Sequence, residues 1–199
     1  HAVIAVWSGA QEVSYTELYM ADTRNGKREK LARAPLAGAD FLLDVDGKPL
    51  FAWGTTREGW HQLYERSGDQ WDLVNDEQQS GNEVTPLAMS GDDGDMLVEI
   101  TGPEGPGRVA LWKPDSGEGK LVYQPKVAEL TGILRAADDH QVYALLTSDD
   151  RDQVAIVDAA APEARTVAAL SRNFANSLVL PVSWSSDGKQ ALFFVASDR

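Results

Sequence analysis

The sequence predicts an all-β protein built from a repeated four-stranded antiparallel unit, and three observations carry that prediction. Short apolar runs separated by turn residues follow one another along all 199 residues, and little reads as helix. Asp46-Gly47, Asp93-Gly94 and Asp187-Gly188 each lie between two apolar runs, and Asp138-Asp139 holds the same place in a further copy. The second strand of each copy, as in Leu50 to Trp53 or Ala191 to Val195, is apolar on nearly every residue. Such a strand has no wet face and must be covered on both sides. Asp46, Asp93, Asp138 and Asp187 are 47, 45 and 49 residues apart, the period that one β-propeller blade leaves in a sequence. The expected fold is therefore a partial, truncated β-propeller of four-stranded antiparallel blades.

Taken in order, residues 1–33 form an incomplete blade: Ala2 to Trp7, Tyr15 to Met20 and Lys27 to Ala32 supply three strands. Its first strand is expected upstream of His1. The blade at 40–75 is complete, with strands at Phe41 to Asp44, Leu50 to Trp53, Trp60 to Glu65 and Trp71 to Val74. The blade at 84–124 places strands at Pro86 to Met89, Met96 to Ile100, Val109 to Trp112 and Leu121 to Tyr123. The blade at 131–170 places them at Ile133 to Ala136, Val142 to Thr147, Val154 to Asp158 and Thr166 to Leu170. Residues 163–170 are the one short helical candidate, which Thr166 and Val167 weaken because β-branched residues favour strands. The segment 180–199 holds two strands, joined by a turn at Ser185-Ser186-Asp187-Gly188. An Asp-Gly pair between apolar runs predicts a two-residue type I′ hairpin turn, with positive φ at both central positions. The competing fold is a two-sheet β-sandwich, whose strands rarely repeat as a four-strand unit. Open terminal blades would expose apolar flanks, so cover from outside the chain, or self-association through those blades, is expected.

Whole-chain numbers narrow the function classes. With 18 Lys and Arg against 31 Asp and Glu the net charge is −13, which argues against nucleic-acid and anionic-membrane partners. No apolar run approaches the ~18 residues that span a bilayer. The start, His1 to Trp7, has no basic flank and no initiator Met, so a beginning inside a longer polypeptide is expected. The absence of cysteine removes disulfides, a thiol nucleophile and cysteine–zinc sites, and leaves the compartment undecided.

The segment Val182-Ser183-Trp184-Ser185-Ser186-Asp187-Gly188-Lys189, followed by Ala196-Ser197-Asp198-Arg199, resembles the W-S-x-D-G-K … S-D-R repeat of prolyl oligopeptidase family propellers. Gly59 to Tyr64, Val84 to Leu87 and Leu178 to Val182 support the match. In that family of serine peptidases the propeller covers the mouth of an α/β-hydrolase domain and admits small peptides. The resemblance implies a non-catalytic, gating fragment whose partners are the hydrolase domain of the same polypeptide and the peptide substrate. No GxSxG elbow occurs in the chain. TolB-type binding propellers share the repeat and give the alternative function; an unrelated all-β glycoside hydrolase would need a carboxylate pair that cannot be picked out of 31 acids.

No residue is assigned a catalytic, cofactor or metal role, and no cofactor is implied. His1, His61 and His140 lack a second ligand at metal spacing and read as rim or turn residues. Asp44 to Gly47, Gly91 to Asp95 and Ser148 to Asp152 lack the distal bidentate Glu of a calcium loop and read as tight turns. Gly102 to Gly107 carries no Lys-Ser/Thr pair and reads as an exposed connection between strands. Trp53, Trp112 and Trp184 read as wedges between blades. Arg135, at the end of a first strand, is a candidate to face a substrate channel.

Overall fold

A computed structural model describes residues 1–7, 14–90, 95–137, 141–185 and 187–197. Strand accounts for 59% of it and helix for 9%, so the chain is all-β. The first sheet is an antiparallel meander of β1 (Ala2–Val6), β2 (Tyr15–Ala21) and β3 (Arg28–Ala37). The second contains β4 (Asp40–Leu43), β5 (Pro49–Thr55), β6 (His61–Ser67) and β7 (Gln70–Asp76) in chain order. A single helical turn, α1 (Glu77–Ser80), follows, capped by Asp76 at one end and left-handed Gly81 at the other. The third sheet is β8 (Glu83–Ser90), β9 (Asp95–Thr101), β10 (Arg108–Lys113) and β11 (Gly117–Tyr123). The fourth has three strands, β12 (Glu129–Arg135), β13 (Val142–Ser148) and β14 (Asp152–Ile156). Helix α2 (Pro162–Asn173) and a hairpin of β15 (Ser177–Trp184) and β16 (Ala191–Ser197) complete the chain.

Each sheet packs on the next. Ala34, Leu36 and Ala39 close the first onto Phe41 and Tyr64 of the second. Phe51 and Leu63 of the second share a core with Val84, Met96, Val98, Ile100, Ala110 and Trp112 of the third. Leu97 and Val109 meet Leu145 of the fourth. In β9, Met96 and Val98 therefore face one neighbouring sheet while Leu97 faces the other, so the apolar run Met96 to Val98 is covered on both sides. Full burial of a side chain such as Val98, 0% exposed, stabilises the fold by about 1.5–3 kcal/mol. The fifth sheet ends the stack, and on its outward side Leu192 and Phe194 are 60% and 55% exposed.

Three expectations need correction. Residues 166–170 are helix and not the fourth strand of their sheet. Pro162 fits the first helical position, where its missing N–H costs nothing. Ala164 and Val167, one turn apart, bury one face with Ala161 against Tyr143 and Ala144. Thr166 is accommodated by donating its hydroxyl to the Pro162 carbonyl at 3.1 Å. Tertiary burial thus overrides the local preference of Thr166 and Val167.

The turn at Asp46-Gly47 is not type I′, because Gly47 alone has positive φ, +80°. The Gly47 amide donates to the Asp44 carbonyl at 3.0 Å, which closes a type I turn with glycine at its last position. Glycine is required twice over, since a Cβ here would sit 2.9 Å from Val3 Cγ2 of the first sheet. At Ser185 to Gly188 the same bond forms at 2.8 Å, again with only glycine, φ +67°, in the left-handed region among the described residues. The Asp93-Gly94 and Asp138-Asp139 turns lie outside the described residues. Finally, β3 runs on to Ala37, so the first sheet extends past the boundary expected at 33.

Candidate functional site

The first strands of the second, third and fourth sheets, β4, β8 and β12, end around one cleft of about 1250 Å³. Leu42, Met89, Leu121 and Val142 give it apolar walls, while Asp44, Lys120, Arg135 and Asp158 bring charge. Arg135 is the last residue of β12, and its Nη2 donates to the Leu87 carbonyl of β8 at 2.8 Å. That bond ties the fourth sheet to the third and fixes the guanidinium at the cleft wall. Arg135 also borders a smaller cleft of about 350 Å³ between β12 and β15, which Trp184 lines.

The two carboxylates are committed to local structure. Asp44 Oδ1 accepts from the amides of Asp46 and Lys48 at 2.9 and 2.8 Å. Asp158 accepts from Gln141 Nε2 at 2.5 Å and from the Ala160 amide at 2.9 Å. The lining contains Ser90 and, among the described residues, no histidine, so no serine and imidazole are brought together there. What this arrangement offers is an apolar concavity with charges of both signs at its wall, the chemistry of binding and orienting.

His61 is a correction. It was expected on a rim or turn, yet it opens β6 and is 5% exposed. Its alternation with Leu63, also buried, is the sequence signal that reveals this. The His61 amide donates to Glu77 Oε2 at 2.8 Å, and Nε2 lies 3.6 Å from Glu83 Oε1. The Nδ1 atom is buried without a hydrogen-bond partner among the described residues. Burial pushes the imidazole below its usual 6.5, and the nearby charges of Glu83 and then Glu77 pull against it.

A stability prediction follows from the sign of that shift. The unfolded chain takes up the proton first, so this contribution is fully present above about pH 6.5 and is lost as pH falls through the lower folded value. Half-buried Glu99, pushed up by desolvation and then by Glu83 and Glu129, acts oppositely, stabilising below its unfolded value and losing that as pH rises through the folded one. Urea melts of wild type and His61→Gln between pH 7.5 and 5 isolate the histidine. The difference in stability between the two proteins should move against wild type on acidification, and a constant difference would refute the assignment.

The other candidates resolve as follows. His1 is an exposed residue at the chain start, and His140 lies outside the described residues. Among the described residues no three His, Asp or Glu side chains gather as a metal site. Of the calcium-like stretches, Asp44 to Gly47 is the turn described above, and Asp149 Oδ1 accepts from the Arg151 amide at 3.2 Å as a turn does. Residues 91–94 lie outside the described ones. Gly102 to Gly107 joins β9 to β10. Trp112 is 5% exposed in the core between the second and third sheets, where Trp53 packs, and Trp184 meets Phe193 edge-on at 5.7 Å. Tyr143, fully buried, has its hydroxyl pushed up to about 12 by desolvation and by the charge of Glu163.

Among the described residues no helix is long and apolar enough to cross a membrane. Comparison with models of protein families, with curated proteins and with solved structures finds no match.

Proposed function

We propose that the chain is part of a β-propeller from a serine peptidase of the prolyl oligopeptidase type, and that it gates short peptides without breaking bonds itself. The observation that carries this reading is the serial packing of small antiparallel meanders, with the second strand of the third sheet, β9, shielded by the sheets on either side. That is the packing a blade requires. The 1250 Å³ cleft where the first strands end supports it, being roomy enough for a short extended segment and too small for a folded domain. The exposed outward side of the fifth sheet is where a further blade would sit.

The test uses the whole reading frame from which the chain derives. It should encode a GxSxG elbow downstream of Arg199, and the full polypeptide should hydrolyse short chromogenic peptides while sparing a folded protein substrate. A frame that stops soon after Arg199, or a full polypeptide that binds a protein partner and hydrolyses nothing, would replace this reading with that of a binding propeller.

A further inference from the structure

The net charge of −13 conceals a local reversal. Between positions 22 and 33 lie Arg24, Lys27, Arg28, Lys30 and Arg33 against only Asp22 and Glu29. These residues lead into and form the first half of β3, the outermost strand of the first sheet. Thr16 and Leu18 of β2 are buried and Met20 faces Gly47 of the second sheet, so alternation puts Tyr15, Glu17 and Tyr19 on the opposite, outward face. The pairing of Glu17 with Arg33 and of Ala21 with Arg28 places both arginines beside them.

The face is pre-organised. The Arg33 guanidinium lies 4.5 Å from the Tyr15 ring centroid and that of Arg28 lies 5.5 Å from Tyr19. Lys30 and the Tyr19 hydroxyl both hold Glu17, each at 2.6 Å. Neither Arg28 nor Arg33 makes an ion pair with a carboxylate among the described residues. Stacking on a ring occupies the flat side of a guanidinium and leaves its N–H edge able to take a carboxylate. Tyrosine and arginine are also the residue types that anchor protein interfaces.

We infer that the outward face of β2 and β3 docks an extended acidic segment of a partner protein, with its carboxylates on Arg28 and Arg33 and its backbone along the open edge of β3. The edge is available over residues 28–32, where β3 pairs only with β2; at Arg33 the carbonyl already accepts from Trp71 Nε1 at 2.8 Å, and from Ala34 onward the strand packs on the second sheet. Charge selects the occupant: two stacked guanidiniums match a few carboxylates, whereas a nucleic acid needs a longer run of cations to neutralise its phosphates than this face supplies. The inference is independent of the propeller reading. It rests on the charge and stacking of this face, on which Tyr15, Arg28 and Arg33 are exposed.

The test is fluorescence anisotropy of a labelled dodecapeptide of alternating Glu and Val, at about 50 mM salt where such contacts are little screened. Wild type should bind it. Arg28→Ala/Arg33→Ala should weaken binding about tenfold, Arg28→Lys/Arg33→Lys should fall between, and Lys126→Ala/Lys189→Ala, which removes the same charge elsewhere, should bind as wild type. Thermal melts confirm that each variant is folded, and the lysine pair serves if the alanine pair is not. Failure of wild type to bind, equal weakening by both alanine pairs, or tighter binding of a thymidine dodecanucleotide would overturn the inference. An arginine pair that changes only the tendency to aggregate would do so as well, because it would reduce these charges to protection of an exposed edge.

Discussion

Replacing Trp112 with alanine is expected to destabilise the chain by about 3–5 kcal/mol, read as a lower urea midpoint with an unchanged slope. The indole is 5% exposed and lies among Phe51 and Leu63 of the second sheet and Met96 and Val98 of the third. Its removal leaves a cavity between two sheets that neither can close alone, because each is also held by another neighbour. Leu192→Ala, at a residue of the fifth sheet that is 60% exposed, should change stability by no more than about 0.5 kcal/mol. The contrast separates packing between sheets from mere apolarity. Equal losses at the two positions would mean that the outward face of β16 is already covered in solution, by a second copy or by a rearranged hairpin.

Much of this fold is written locally. The sixteen strands of the described residues and their antiparallel order follow from short apolar runs and glycine turns, since an inner strand such as β9 must be apolar on both faces to be covered on both. The cleft was not legible in the same way. Its walls come from Leu42, Met89, Leu121 and Val142, which no spacing rule relates, and only the position of Arg135 at a strand end pointed there. His61 shows the cost of treating a polar residue as a surface residue: its alternation with Leu63 carries the burial, while its identity suggests the rim. The basic strand is legible to a local count of charge, whereas the whole-chain charge averages out Arg24 to Arg33.

Helix α2 is where local and tertiary preference part, and a proline scan tests which prevails. Ala168→Pro is expected to cost about 3 kcal/mol or more and to reduce the helical signal in circular dichroism. At this mid-helix position the ring removes one intrahelical hydrogen bond and strikes the carbonyl four residues back, at Ala164. Ala164 and Val167 are each 1% exposed against Tyr143 and Ala144, so the damage reaches the core between the fourth sheet and α2. Glu163 adds to it, because its Oε1 accepts from the Ala137 amide at 3.0 Å and pins the first turn to the segment after β12. Were residues 166–170 the outermost strand of a four-stranded sheet, the same proline would lie on an edge, where a missing N–H can face solvent at little cost. A variant as stable as wild type would therefore return that segment to the sheet, whereas a large loss with the helical signal reduced fixes α2 as the element joining the fourth sheet to the fifth.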